Sequence, residues 1–160
     1  MTISAGDKIP SVDLKTMTND GPDSITTIDI FTGKKVIIFG LPGAFTPTCS
    51  AKHLPGFVQH ADAIKAKGVD TIACISVNDV FVMGAWGKDQ NVGNKIMMLA
   101  DGSADFAKAT GLELDLIARG MGVRCQRFSM IVDNSIVQSI NIDDGTFEKT
   151  SAEQTLSDLG

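Results

Sequence analysis

The chain has 160 residues, a length that suits one domain spanning 1–160 and needs no covalent staples to fold. Apolar residues make up 43% and charged residues 21%, a globular balance that excludes a disordered or low-complexity chain. The net charge is −5 and the longest cationic run is Lys34-Lys35, which argues against a nucleic-acid or anionic-membrane surface.

No repeat or linker divides the sequence. The first apolar run long enough for a core strand is Lys35–Leu41 (KVIIFGL), and its uninterrupted apolar residues predict a strand covered on both faces. A turn-rich loop follows through Pro47. Leu54, Phe57, Val58, Ala61 and Ile64 then recur at spacings of three and four, predicting a helix closed by Gly68. Pro55 inside that pattern implies a kink or a late start to the regular helix. Val69–Val77 (VDTIACISV) is a second core strand, which completes a right-handed βαβ unit. Asn78-Asp79 can cap a short helix from Val80 to Lys88, Ile96–Ala100 reads as a strand, and Ser103–Ala109 as a helix. Arg127–Val132 and Ser135–Ile142 are expected to pair as a hairpin about Asp133-Asn134, and Ser151 with Gln154 forms a capping box for a last helix near Gly160. The order predicts an α/β fold with a mixed central sheet flanked by helices, as in thioredoxin-like domains.

The junction Pro42-Gly43-Ala44-Phe45-Thr46-Pro47-Thr48-Cys49-Ser50 lies at the carboxyl end of the first strand, where ligands collect in α/β sheets. Cys49 falls at or near the first turn of the next helix. Unpaired N–H groups and the helix dipole favour a thiolate there and can hold substrate oxygens. His53 stands one turn further on, in a geometry that Pro55 obscures. The only arginines, Arg119, Arg124 and Arg127, lie within nine residues of one another. Arg127 opens a strand, and a guanidinium reaching the Cys49 pocket would activate the thiol, so the two form a candidate pair. Three separated cysteines, Cys49, Cys74 and Cys125, suit reduced thiols rather than a disulfide framework. The N-terminus has no signal-peptide pattern and no stretch is long enough to span a bilayer, so the expected location is the cytoplasm. Cys49, His53 and His60 lack the paired spacing of a zinc site, and neither metal nor cofactor is expected.

PGAFTPTCS followed by His53-Leu54-Pro55-Gly56-Phe57 resembles the active-site segment of the type II, peroxiredoxin-5-like peroxiredoxins. The resemblance continues in order through CISVND, FVMGAWGK, LADGS, GLELDL and RFSMIVD, from Cys74 to Asp133. It implies a thioredoxin fold with Cys49 as the peroxidatic cysteine, Thr46 as its activating hydroxyl, Pro42 as the shielding proline and Arg127 as the pocket arginine. It implies reduction of hydrogen peroxide and organic hydroperoxides through a Cys49 sulfenic acid, and a homodimer whose interface lies near Phe45 and the segment of Phe81 and Trp86. Read from the residues alone, Phe81 and Trp86 on a short helical segment are most simply core residues.

The stretch Gly145–Ala152 has no resolving cysteine of the animal type, whereas Cys74 stands at the plant-type spacing, 25 residues after Cys49. Cys74 lies inside an apolar strand, so a Cys49–Cys74 disulfide would require local unfolding. Cys125 is expected to be incidental, and Arg119 and Arg124 to be solvated unless Arg124 supports Arg127. The reading is therefore a one-cysteine cycle with glutathione and glutaredoxin as reductant, thioredoxin remaining open. The alternative is a redox sensor or binding module of the same fold, in which Cys49 would be oxidised stoichiometrically and not turn over.

Overall fold

In the computed structural model, which describes residues 1–160, the first core strand divides its side chains between two hydrophobic clusters. This strand, β3 (Lys35–Gly40), sends Ile37 and Phe39 to one face and Val36 and Ile38 to the other. Burial on both faces is why its apolar run does not alternate. The strands β4 (Thr71–Ser76) and β5 (Met97–Ala100) follow in parallel, and β8 (Arg127–Asp133) pairs antiparallel with the other side of β3. With β1 (Asp13–Thr18), β2 (Gly21–Thr26) and β9 (Ile136–Asp143) they form a seven-stranded mixed sheet, ordered β2-β1-β5-β4-β3-β8-β9. Helices α2 (Leu54–Ala66), α3 (Val80–Asp89) and α5 (Ala152–Leu159) cover one face. The other face is covered by α1 (Thr27–Phe31) and α4 (Asp105–Thr110). This is the thioredoxin-like arrangement expected from the element order.

The predicted boundaries shift where backbone conformation overrides pattern. Asn134 and Ser135 both take left-handed φ, +47° and +70°, so the hairpin turn sits one residue later than expected and β9 starts at Ile136. Ser151 accepts the Gln154 amide, but the Gln154 side chain turns to Asp158 at 2.9 Å, so only half of the capping box forms. Gly68, at φ +91°, ends α2 as predicted. Two hairpins escape the apolar pattern altogether. β1 and β2 bury little beyond Leu14, and the two-residue turn Asn19-Asp20 that joins them leads into Gly21 at φ +110°. The second, β6 (Glu113–Leu116) with β7 (Gly122–Cys125), stands apart as a two-stranded sheet beside the loop that holds Cys49.

Candidate active site

Past β3 the chain leaves the sheet through Pro42 and re-enters helical structure at Pro47, where the Ser50 N–H donates to the Thr46 carbonyl at 2.9 Å. The winding then widens: residues Cys49–His53 form a π-helical turn in which the Leu54 N–H reaches back to the Cys49 carbonyl. Pro55 has no N–H with which to continue a regular ladder, so the tighter winding of α2 begins only around it. Cys49 therefore lies in the first turn of a helical segment, as expected, but at the point where an α start widens into a π turn.

Three polar contacts brace this loop against the fold. Asn78 Oδ1 accepts the Ala44 N–H at 2.9 Å and the Ser76 hydroxyl at 2.6 Å. Arg124 donates to the Met121 carbonyl at 2.8 Å and, at 3.5 Å, to the carbonyl of Pro42. It thus supports the proline loop rather than Arg127. The indole N–H of Trp86 donates to the Ser50 hydroxyl at 3.0 Å, immediately beside Cys49. Trp86 is buried as expected, whereas Phe81 is not a core residue: its ring is 66% exposed, on the outward face of α3.

Cys49 is buried, and its Sγ accepts from Arg127 Nη2 at 3.3 Å. The candidate pair is thus brought together across 78 residues of chain. The other prong of the same guanidinium, Nη1, donates to His53 Nδ1 at 2.8 Å, and His53 Nε2 donates to the Thr150 carbonyl at 3.0 Å. A guanidinium has only donors and a carbonyl only accepts, so these two bonds dictate a neutral His53 protonated on Nε2. Burial, reinforced by the Arg127 charge, lowers the His53 pKa to about 3 against the opposing pull of the Thr150 carbonyl and Asp143. The imidazole stays uncharged throughout the physiological range. Beneath it, Phe39 and Phe57 stack with centroids 4.0 Å apart, and the Phe147 ring faces the Arg127 guanidinium at 5.8 Å. His53 and Thr150 were not legible as site residues. Only the spacing of His53 from Cys49 hinted at the former.

Pro42, Thr46 and Arg127 line a groove of about 720 Å³ together with Arg119 and Lys52, and Cys49, buried, forms no part of its wall. The Thr46 hydroxyl donates to the Gly43 carbonyl at 2.6 Å and not to Cys49. Having spent its proton inward, it offers lone pairs to the groove. The other two thiols are buried and do not line this groove. Burial, then the neighbouring Cys49 and Cys125 sulfurs, pushes the Cys74 thiol well up, and burial followed by the Asp101 carboxylate raises Cys125. His60 is turned away, paired with Glu153 at 2.9 Å.

The chain matches the Redoxin family over residues 4–156. It is 45% identical over 159 residues to peroxiredoxin-2D of Arabidopsis thaliana, an alignment covering 98% of each protein. Among solved structures it superposes at a TM-score of 0.95 on reduced Prx3 of Vibrio vulnificus in complex with hydrogen peroxide, at 48% identity, covering 99% of this chain and 100% of that one. Peroxiredoxin 5 of Alvinella pompejana superposes at 0.87, with 36% identity and 98% and 97% of the two chains covered. A thiol buried under a guanidinium at the carboxyl end of such a sheet agrees with these relationships, and the chain belongs to the Redoxin family as a thioredoxin-fold peroxiredoxin.

Proposed function

We propose that the protein reduces hydrogen peroxide and organic hydroperoxides, with Cys49 as nucleophile. The observation that carries this reading is the Arg127 Nη2 donor 3.3 Å from Cys49 Sγ, on a guanidinium that itself lines an open groove. The sulfur attacks one peroxide oxygen as its thiolate, the O–O bond breaks, and the departing oxygen takes a proton to leave as water or an alcohol. Sulfur is oxidised to a sulfenic acid as the peroxide is reduced. The fixed positive charge of Arg127 stabilises the anionic sulfur and the charge spreading onto the oxygens. The Thr46 lone pairs accept the peroxide O–H and orient it, and Pro42 limits water at the mouth. The complex of the Vibrio relative with hydrogen peroxide supports this choice of substrate.

The sulfenic acid is resolved by an external thiol. Glutathione condenses with it, releasing water and leaving a mixed disulfide, and glutaredoxin then reduces that disulfide. Complete burial of Cys74 and the raised thiols of Cys74 and Cys125 support this one-cysteine cycle. After one equivalent of peroxide, mass spectrometry should find oxidation on Cys49 alone, and a glutathione adduct once glutathione is added. A Cys49–Cys74 disulfide formed in high yield would replace the proposed cycle. Steady-state turnover with glutaredoxin plus glutathione should exceed turnover with thioredoxin, and the reverse ranking would reassign the reductant.

The cycle requires reduced thiols, which supports the cytoplasm as its location. We also propose a homodimer across the face bearing Phe45 and Phe81, whose rings are 53% and 66% exposed. Phe45 holds a left-handed backbone, φ +64°, and its ring tilts toward Trp86 with centroids 6.4 Å apart. Sedimentation velocity should give a dimer for the wild type and a monomer for Phe81→Asp. A wild-type monomer at micromolar concentration removes this assembly.

A further inference from the structure

The segment after β9, residues 144–150, folds around one buried carboxylate. Asp143, 4% exposed, ends β9 opposite Arg127 in the β8–β9 ladder. Its Oδ2 accepts the Thr150 hydroxyl at 2.8 Å, the Glu148 and Lys149 amides at 3.0 Å, and the Thr150 amide at 3.1 Å. Oδ1 accepts from the Lys149 amide at 3.1 Å and the Thr146 hydroxyl at 3.4 Å. Burial by itself raises this carboxyl, but the donors of Thr150, Glu148 and Lys149 outweigh it and hold the group below its ordinary range. The loop so gathered presents two groups to the site, the Thr150 carbonyl to His53 and the Phe147 ring to Arg127.

From this chain of contacts we infer that Asp143 is a positioning residue for the peroxidase centre, acting through Thr150, His53 and Arg127 without touching the sulfur. The inference rests on Arg127 serving Cys49 as proposed above. Its physical content is a tautomer lock. While the Thr150 carbonyl stands 3.0 Å from Nε2, the His53 proton stays there and Nδ1 keeps a lone pair for Arg127 Nη1. One prong of the guanidinium is thereby held and the other is left aimed at Cys49. If the loop releases that carbonyl, the proton can move to Nδ1 and meet the guanidinium donor with a second donor. Arg127 must then rotate, and Nη2 leaves the sulfur. Every member of the relay is buried, with Arg127 the most exposed at 9%, so water cannot easily substitute for a lost partner.

The test is a double-mutant cycle with a spectroscopic readout. Asp143→Asn keeps the side-chain volume but places an amide donor among donors. We expect stopped-flow oxidation of Cys49 by hydrogen peroxide to slow by roughly ten- to a hundred-fold, by analogy with the loss of an outer partner that orients a metal-bound histidine. The imidazole nitrogen NMR shifts of His53 should change from an Nε2–H tautomer to a mixture. If Asp143 acts through Arg127, Asp143→Asn combined with Arg127→Gln should be no slower than Arg127→Gln alone. Should Asp143→Asn not fold, Thr150→Val carries the same cycle, since it removes one donor from the carboxylate and leaves the carbonyl in the chain. An unchanged tautomer and rate, or multiplicative effects in the double variant, would overturn the inference while leaving the active-site reading intact. Wild-type rates in Arg127→Gln alone would instead defeat that reading.

Discussion

Replacing Cys49 by serine should abolish peroxide reduction, and Arg127→Gln should yield a folded protein slower by about a hundred- to a thousand-fold. A serine hydroxyl is not ionised at neutral pH and cannot take up oxygen as sulfur does, so the first variant has no nucleophile. Glutamine is different. It is large enough to occupy part of the buried slot and can still make a hydrogen bond, but it carries no charge. The expected loss is therefore the electrostatic contribution of a donor 3.3 Å from the reacting sulfur, together with the fork that His53 steadies from 2.8 Å. Stopped-flow measurement of Cys49 oxidation at fixed pH separates this effect from any change in reductant turnover. A residual rate within a few-fold of wild type would remove Arg127 from the mechanism.

Phe57→Ala is expected to cost about 3–5 kcal/mol of folding stability, the range for truncating a buried aromatic side chain. Phe57 is fully buried in α2, and its ring lies parallel to Phe39 of β3, 7° between planes. The same ring sits 5.7 Å from the His53 imidazole, so the cavity would open under the active site as well as in the core. Urea unfolding followed by Trp86 fluorescence reads the stability, with the midpoint expected to fall and the slope to hold. A loss below about 1 kcal/mol would mean that the helix settles into the gap, contrary to the close packing of Phe57 on Phe39.

Legibility in the sequence followed the range of the signal. β3 and β4 announced themselves because residues buried on both faces make uninterrupted apolar runs such as VIIF and IACI. The β1–β2 hairpin did not, since Leu14 is nearly its only deeply buried side chain and polar strands look like loop. Phe81 was misplaced for the complementary reason. An aromatic residue on an apolar helix reads as core until the packing of the helix reveals which face looks outward.

The sequence by itself pointed to the family, to the strand–loop–helix junction that carries Cys49, and to Arg127 as a candidate partner for that thiol. Those features are written in contiguous residues or in an ordered series of motifs. Only the tertiary structure decided what holds that cation in place. Arg127 meets His53 across 74 residues, and His53 meets Thr150 across 97. The physical reason is that periodicity and turn chemistry act over a few residues, whereas a buried donor takes whatever acceptor the completed packing brings within hydrogen-bond reach. A histidine, a threonine carbonyl and an aspartate at a strand end carry no mark of one another until β8, β9 and α2 close around them.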